Sequence, residues 1–173
     1  YRLCANRTQY SVCNFAVPVA EPHTLCSACR QTLVVPDLSQ PGNVQRWRKL
    51  ETAKRALYYT LSMLGLHPES PLCSPRYQFL ADAPDWAVIT GHMNGVITIN
   101  VAEADDDERV RRRVALHEPY RTLLGHLRHE SGHFFWDLLI RDGEELASFR
   151  ALFGDEQQDY QESLNRYYAQ PPS

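Results

Sequence analysis

The clearest hydrophobic periodicity lies in residues 44–66, VQRWRKLETAKRALYYTLSMLGL. Apolar residues recur there every three or four positions, which places them on one face of an α-helix. Gly65, with Pro68 beyond it, is typical of residues that end a helix. The pattern therefore predicts an amphipathic helix ending near Gly65. Its apolar face comprises Trp47, Leu50, Ala53, Leu57, Leu61 and Leu64.

Three shorter segments that follow have the composition of β-strands. They cover residues 77–82, 86–90 and 95–103 and are separated by Pro and Gly. In the third segment Ile97 and Ile99 alternate with polar residues, as in an edge or half-buried strand. Strands followed by helices predict an α+β domain with a small sheet.

Three helices are predicted in the C-terminal half of the chain. The first begins near Pro119 and continues to about Arg141, and its surface is apolar enough for a central helix. The second is ELASFRALFG, which Gly154 ends. The third covers DEQQDYQESLNRYY, where Asp155 and Gln158 fit a capping box.

The predicted central helix contains the motif H-E-x-x-H, formed by HESGH from His129 to His133. Residues four apart project from one helix face, so both imidazoles can reach one zinc ion. Glu130 can then take a proton from zinc-bound water and return it to a leaving amine. The alternative is a helix whose histidines merely face solvent. The aromatic residues at 134–136 argue against it, since an apolar stretch that excludes water leaves a histidine pair in need of a metal.

Two further questions about this site stay open on the sequence alone. His126 precedes His129 by three residues and is either a contact to a ligand or substrate or a partly exposed histidine. A zinc enzyme of this type also needs a third protein ligand. Asp155 is better explained as a helix cap, whereas Asp159 lies on the following helix and could reach the site.

Four of the five cysteines lie in the first 29 residues, and the last two of them form a C-x-x-C pair. Such a pair lets two thiolates share one tetrahedral ion, and four thiolates close the coordination shell of a structural zinc. Disulfides are the alternative, while Cys73 is expected to be a free thiol. We therefore predict a zinc-ribbon segment at 1–42 and a second domain at 43–173. The predicted zinc ligands of the ribbon are Cys4, Cys13, Cys26 and Cys29.

Composition and charge narrow the choice of partners and compartment. The net charge of −3 offers no general attraction to nucleic acid or to anionic membranes. No apolar run is long enough to span a bilayer, and the N-terminus has no apolar signal region. The run DDDERVRRR is interpreted as a short solvated helix. Clustered cysteines that bind metal are typical of a reducing compartment, so we predict a cytoplasmic protein without nucleic-acid or membrane partners.

These motifs together resemble a bacterial family of predicted zinc-binding metallopeptidases, in which a zinc ribbon precedes a gluzincin-like domain. The resemblance extends over nearly the whole chain, and its last three segments are the most specific. The matching segments are LCANRTQYSVCNFAVP, LCSACRQTLVVPDLS, RWRKLETAKRALYYTL, TGHMNGVITINVAEAD, EPYRTLLGHLRHESGHFFWD and LFGDEQQDY.

The resemblance implies roles for individual residues. His129 and His133 would bind the catalytic metal, Glu130 would be the catalytic acid and base, and the four early cysteines would hold the ribbon zinc. Members of the family typically carry another cysteine knuckle upstream and continue beyond this C-terminus. The third ligand is therefore expected in a downstream helix outside this chain.

The sequence thus predicts a zincin-like metallopeptidase with one catalytic and one structural zinc, acting on a peptide or protein substrate. Its candidate peptide-binding strand is GVITIN, because a sheet edge can hold an extended peptide by main-chain pairing. An ordinary core strand is the alternative for that segment. The alternative function is a non-catalytic, zinc-containing protein-binding module, which the lack of an assigned third ligand favours and the retained Glu130 opposes.

Overall fold

The structure is a computed structural model that describes residues 1–66, 74–105 and 122–169. Cys73, Pro119 and all but the first residue of the DDDERVRRR run lie outside the described residues, as does the predicted helix in that run. The chain divides into two compact units, Tyr1–Phe134 and Phe135–Ser173, and each is described by itself. Helices and strands are mixed, so the predicted α+β class is confirmed.

The N-terminal segment is built around cysteines rather than around large apolar side chains. Strand β1 (Arg2–Leu3) pairs antiparallel with β2 (Ala16–Val17), and two short helices, α1 (Ala5–Tyr10) and α2 (Ser27–Arg30), accompany them. The four cysteines form the buried centre of this segment together with Val17 and Ala28. Such a small core is typical of segments that a metal stabilises.

Helix α3 (Asn43–Met63) confirms the helix predicted from hydrophobic spacing. Trp47, Leu50, Leu57 and Leu61 are buried on its inner face, whereas Leu64 is exposed. Gly65 follows with a φ of +74°, which a residue without a β-carbon adopts without strain. The Leu66 amide donates to the Leu61 carbonyl at 2.9 Å, closing the helix as a glycine cap does.

A four-stranded sheet lies in the first unit, in the order β3-β4-β6-β5. The strands are β3 (Thr32–Val34), β4 (Arg76–Leu80), β5 (Gly91–Met93) and β6 (Val96–Asn100). β3 and β4 are parallel, as are β4 and β6, while β5 runs antiparallel to β6. A two-residue turn joins β5 to β6. Asn94 and Gly95 both have positive φ, 50° and 79°, as the hairpin turn favoured by Asn-Gly requires.

The prediction that β6 is a half-buried strand with alternating burial is confirmed, and of the two alternatives left open for it, a sheet edge and a core strand, the structure has the core strand. Ile97 and Ile99 are fully buried, as the alternation indicates. β6 lies between β4 and β5, so both of its sides are paired. The sheet edges are β3 and β5, because pairing order depends on long-range contacts that a local pattern does not encode.

The predicted strand at 86–90 is also wrong, since no strand forms there and β5 begins only at Gly91. The Val88 amide donates to Asp82 Oδ1 at 2.7 Å, and the Val88 carbonyl accepts from Asn100 Nδ2 at 3.1 Å. Side chains therefore satisfy the backbone groups that a strand ladder would have used. Ile89 is 84% exposed, so its apolar, β-branched side chain does not mark a buried strand position.

A 3-10 helix (Val101–Ala104) follows β6, and helix α4 (Leu123–Leu139) carries the H-E-x-x-H motif. The segment predicted from Pro119 is therefore confirmed as helical from Leu123 to Leu139. In the described part of the chain, no helix combines the length and apolar character needed to cross a membrane.

The second unit contains the predicted helices α5 (Leu146–Phe153) and α6 (Tyr160–Ala169). Gly154 ends α5 with a φ of +90°, as predicted. The cap predicted at Asp155 is wrong, because α6 begins five residues later. Asp159 Oδ1 accepts from the Glu162 amide at 2.7 Å, which makes Asp159 the N-cap of α6.

Candidate metal centres

The four N-terminal cysteines converge on one point. Their Sγ atoms all lie within 4.8 Å of one another, and each residue is at most 4% exposed. The Sγ atoms of Cys13 and Cys26 are 3.7 Å apart. Tetrahedral zinc with Zn–S bonds of about 2.3 Å requires sulfurs about 3.8 Å apart, whereas a disulfide requires about 2.0 Å. The cluster therefore fits zinc, and the disulfide alternative fails for these four residues, which are free thiols.

Backbone amides point at three of the sulfurs. The Phe15 amide donates to Cys13 Sγ at 3.3 Å, the Cys26 amide to Cys4 Sγ at 3.4 Å, and the Cys29 amide to Cys26 Sγ at 3.5 Å. The two turns that bring these amides into position are the loop after Cys13 and the first turn of α2. Amides directed at sulfur stabilise the thiolate, which is the form that binds metal.

The protonation pattern of the cluster also indicates a cation site. Hydrogen bonds from Cys26 and Cys29 lower the pKa of Cys13 to about 2, while that same pairing raises the pKa of Cys26 to about 12. Cys13 and Cys26 likewise raise the pKa of Cys29. Like charges at this distance oppose each other, so a thiolate at Cys13 disfavours thiolates at Cys26 and Cys29. Four thiolates can coexist here only around a cation.

The H-E-x-x-H histidines also converge. The Nε2 atoms of His129 and His133 are 3.2 Å apart, and their rings are nearly perpendicular at 86°. Two Zn–N bonds of about 2.05 Å at the tetrahedral angle require nitrogens about 3.3 Å apart. The pair is thus spaced as two ligands of one ion. Glu130 lies between them in sequence and is only 7% exposed.

The expectation that aromatic residues would shield the histidines from water is wrong. His129 and His133 are exposed, whereas Phe134 is buried. A helix rotates about 100° per residue, so the residue after His133 faces a different side. Neighbours in sequence therefore do not share an environment on this helix.

Two contacts from the sheet hold α4 beside the motif. Tyr77 on β4 and Ser131 share a buried hydrogen bond of 3.3 Å between their hydroxyls. Burial raises the pKa of Tyr77 to about 12, which keeps the phenol neutral. The Phe134 ring meets the His92 ring edge-on at 6.1 Å, and Gly95 lies against it. These contacts fix Ser131 and Phe134, the neighbours of Glu130 on α4, against β4 and the β5–β6 hairpin.

A second polar contact, between Glu103 and His126, was missed by sequence reasoning. Glu103 Oε2 contacts His126 Nδ1, and Glu103 is only 2% exposed. Glu103 is the last residue of the segment predicted as a strand. An acidic residue at the end of a buried strand is the one feature of the sequence that could have marked it as functional. No spacing rule links it to His126, which follows 23 residues later.

A third ligand for the histidine pair is not found among the described residues. Within residues 1–66, 74–105 and 122–169, the cysteine quartet is the one group of three or more metal-binding side chains that meet. Asp155 Oδ1 accepts from the Gln157 amide, and Asp159 caps α6, both in the second unit. Neither aspartate gains support as a ligand from these contacts.

Comparisons with known proteins give a family for each of two parts of the chain. Residues 43–173 match the family described as "Putative zinc-binding metallo-peptidase", and residues 1–40 match a zinc-ribbon domain. Proteins of Mycobacterium bovis and of two Mycobacterium tuberculosis strains, each called an uncharacterized protein, are 39% identical over 176 residues. The alignment covers 99% of this chain and 51% of those proteins, so the chain spans about half their length. No solved structure matches the chain.

Proposed function

The chain belongs to this zinc-binding metallo-peptidase family, and on that premise we propose that it hydrolyses peptide bonds at His129, Glu130 and His133. The observation that carries the proposal is the 3.2 Å separation of the two imidazole Nε2 atoms beside a buried carboxylate. Two imidazole nitrogens at that distance are spaced as two of the four ligands of a tetrahedral zinc site. Zinc binding by the protein is also supported by the family and by the four-cysteine cluster.

Glu130 is the proposed proton carrier. Among the described residues, no hydrogen bond or ion pair engages its carboxylate, so it can accept a proton from the attacking water. It then delivers that proton to the leaving amine. Bound zinc would supply Lewis acidity and lower the pKa of a water ligand to about 7. The Tyr77–Ser131 bond holds the helix turn from which Glu130 projects.

The proposed peptide-binding element is β5 rather than the strand predicted from sequence. In the described part of the chain β5 pairs only with β6, which leaves its other edge for an extended peptide. His92 in β5 contacts Phe134 on α4, so this edge lies beside the motif helix. A peptide or protein substrate therefore suits the site.

The four cysteines are proposed to hold a separate structural zinc. Four thiolates leave no open coordination position, in contrast to the histidine pair. Their free state also supports a reducing compartment, for which we propose the cytoplasm. The net charge of −3 supports a protein without nucleic-acid or membrane partners.

A second candidate is a zinc-containing module that binds peptides without cleaving them. The observation that favours it is that no described carboxylate joins the histidine pair as a third ligand. Zinc held by two imidazoles alone is weak and exchangeable. The buried Glu130 argues for the peptidase, since binding alone gives that carboxylate no task.

The test is cleavage of a degenerate blocked-peptide mixture with added zinc, together with elemental analysis. Glu130→Gln is expected to retain about two zinc ions per chain and to lose cleavage, because an amide cannot carry the proton. Glu144→Gln, at an exposed site, is the matched control and should behave as wild type. Cleavage by Glu130→Gln at the wild-type rate would contradict the role of Glu130. Peptide binding by the wild type without cleavage would favour the second candidate.

A further inference from the structure

We propose that His126 contacts the substrate in the His129–His133 site, and that Glu103 is the positioning residue that fixes its imidazole ring. The proposal rests on the proposed function and deepens it. The ligand is a peptide, and the specific contact is one of its main-chain N–H groups.

The position of His126 on α4 places it on the face of the motif. At about 100° per residue, Glu130 lies about 40° from His126 around the helix, and His129 lies about 60° to the other side. His133 lies within about 20° of the same direction, two turns further on. His126 is thus centred between the proposed base and the proposed ligands, one turn nearer the start of the helix.

Glu103 holds the ring through a buried network. Its Oε2 contacts His126 Nδ1, while its Oε1 accepts a hydrogen bond from Thr90 Oγ1. Thr90 Oγ1 in turn accepts from the Asn100 amide at 3.0 Å. The carboxylate is therefore anchored, through Thr90, to the end of β6. A carboxylate at Nδ1 keeps the imidazole proton on that nitrogen.

The other ring nitrogen of His126 is left for a ligand. In the tautomer that carries its proton on Nδ1, the imidazole accepts a hydrogen bond at Nε2. The His126 side chain is 20% exposed, and among the described residues Nε2 has no hydrogen-bond partner. A histidine that served only to hold α4 to the end of β6 would use one ring nitrogen, the one that contacts Glu103, and its ring could be fully buried. The His126 side chain instead remains partly exposed on the face of α4 that carries the motif, which is where we place the N–H groups of an extended peptide.

The experiment separates contact from structural support by comparing His126→Asn with His126→Ala. Asparagine can still donate from its side-chain amide to Glu103, but it has no atom at the Nε2 position. Affinity is measured with the degenerate blocked-peptide mixture on zinc-loaded protein carrying Glu130→Gln, so that binding is read without turnover. We expect both variants to weaken binding about 3- to 10-fold, as one lost hydrogen bond does, with unchanged zinc content.

Glu103→Gln tests the positioning role. The glutamine amide can donate to Nδ1, which moves the ring proton to Nε2 and removes the acceptor. The same 3- to 10-fold loss is expected, with no further loss when it is combined with His126→Ala. Long-range proton–nitrogen NMR spectra should show the proton of His126 on Nδ1 in the wild type and on Nε2 in Glu103→Gln. His23→Asn, whose side chain is 60% exposed in the ribbon, is the matched control.

Three results would overturn the proposal. Wild-type affinity in His126→Asn would show that only the bond to Glu103 matters. If the His126 variants lost zinc or thermal stability in proportion to their loss of peptide affinity, His126 would have a structural role only. A wild-type ring proton on Nε2 would remove the acceptor. If the wild-type protein bound peptide without cleaving it, the peptidase function would be refuted. The affinities of the His126 and Glu103 variants would still test the role of His126 in that case.

Discussion

Replacing Lys54 by methionine should strongly destabilise the first unit. Lys54 and Glu51 on α3 are 1% and 0% exposed, and Lys54 Nζ donates to Glu51 Oε1 at 3.0 Å. The ammonium group also donates to Thr32 and lies 5.5 Å from the centre of the Tyr77 ring. The pair therefore joins α3 to β3 and β4. Methionine matches the length of lysine but removes the charge that Glu51 faces.

The magnitude follows from what surrounds Glu51 after the substitution. Removing one partner of a buried ion pair costs about 3–5 kcal/mol, because the other charge stays buried without compensation. Arg55 Nη1 remains 3.9 Å from Glu51 Oε2, and Thr32 and Trp47 still donate to Oε1. Because these groups still stabilise the Glu51 carboxylate, we expect the free energy of unfolding to fall by about 3 kcal/mol, the lower end of that range.

The assay is urea unfolding of zinc-saturated, reduced protein, followed by far-UV circular dichroism and tryptophan fluorescence. Thermal unfolding should show a fall in Tm of about 6–12 °C for a loss of that size. Arg48→Met, on the exposed face of the same helix, should change stability by less than about 0.5 kcal/mol. The double variant Glu51→Gln with Lys54→Met should be more stable than Lys54→Met alone, since position 51 then carries no buried charge and Arg55 keeps its hydrogen bonds to Val12 and Thr52.

Two results would refute the reasoning. One is a loss below about 1 kcal/mol for Lys54→Met, which would mean that water or Arg55 compensates the charge of Glu51. The other is a double variant whose loss equals the sum of the two single losses, because residues in one buried ion pair must show coupling.

Three further predictions concern pH, capping and metal. Burial raises the pKa of Tyr77 to about 12, so as pH rises the Tyr77 phenol ionises in the unfolded chain before it ionises in the folded protein. The free energy of unfolding should therefore fall by up to about 3 kcal/mol between about pH 10 and about pH 12. Urea unfolding of Tyr77→Phe should show a shallower fall over the same range. Asp159→Ala should cost α6 about 1 kcal/mol, read as faster amide hydrogen exchange in that helix, whereas Asp155→Ala should not. Graded chelation should remove the histidine-bound zinc first and unfold the ribbon only at higher chelator strength, as followed by elemental analysis and circular dichroism; simultaneous loss of both ions would contradict this order.

The predictions that the structure confirms depend on patterns among residues close together in the sequence. The spacing of Trp47, Leu50, Leu57 and Leu61 predicted α3 because a helix repeats every 3.6 residues whatever lies around it. The early cysteines predicted a shared metal site because a C-x-x-C turn brings two sulfurs together by itself. The alternation of Ile97 and Ile99 predicted a strand for the same kind of reason. Each of these patterns depends on residues within a few positions of one another.

The errors arose where two local solutions compete. Residues 86–90 have strand-forming side chains, yet Asp82 and Asn100 hydrogen-bond the backbone of Val88 and replace a ladder. The sequence predicted Asp155 as the cap of the last helix, and the chain uses Asp159 instead. Propensity does not separate such alternatives, since each satisfies the same backbone groups at similar cost.

The sequence by itself determined the family, the α+β class, the cysteine quartet and the H-E-x-x-H helix, because these depend on residue types at short, regular spacing. Only the tertiary structure decided that β6 is interior, that β5 is an edge, and that Glu103 meets His126 across 23 residues. It also placed both motif histidines on an exposed face, although the next residue is a buried phenylalanine. These features depend on strand order and on the rotation of α4 against the sheet. Long-range packing sets both, and no short stretch of sequence encodes it.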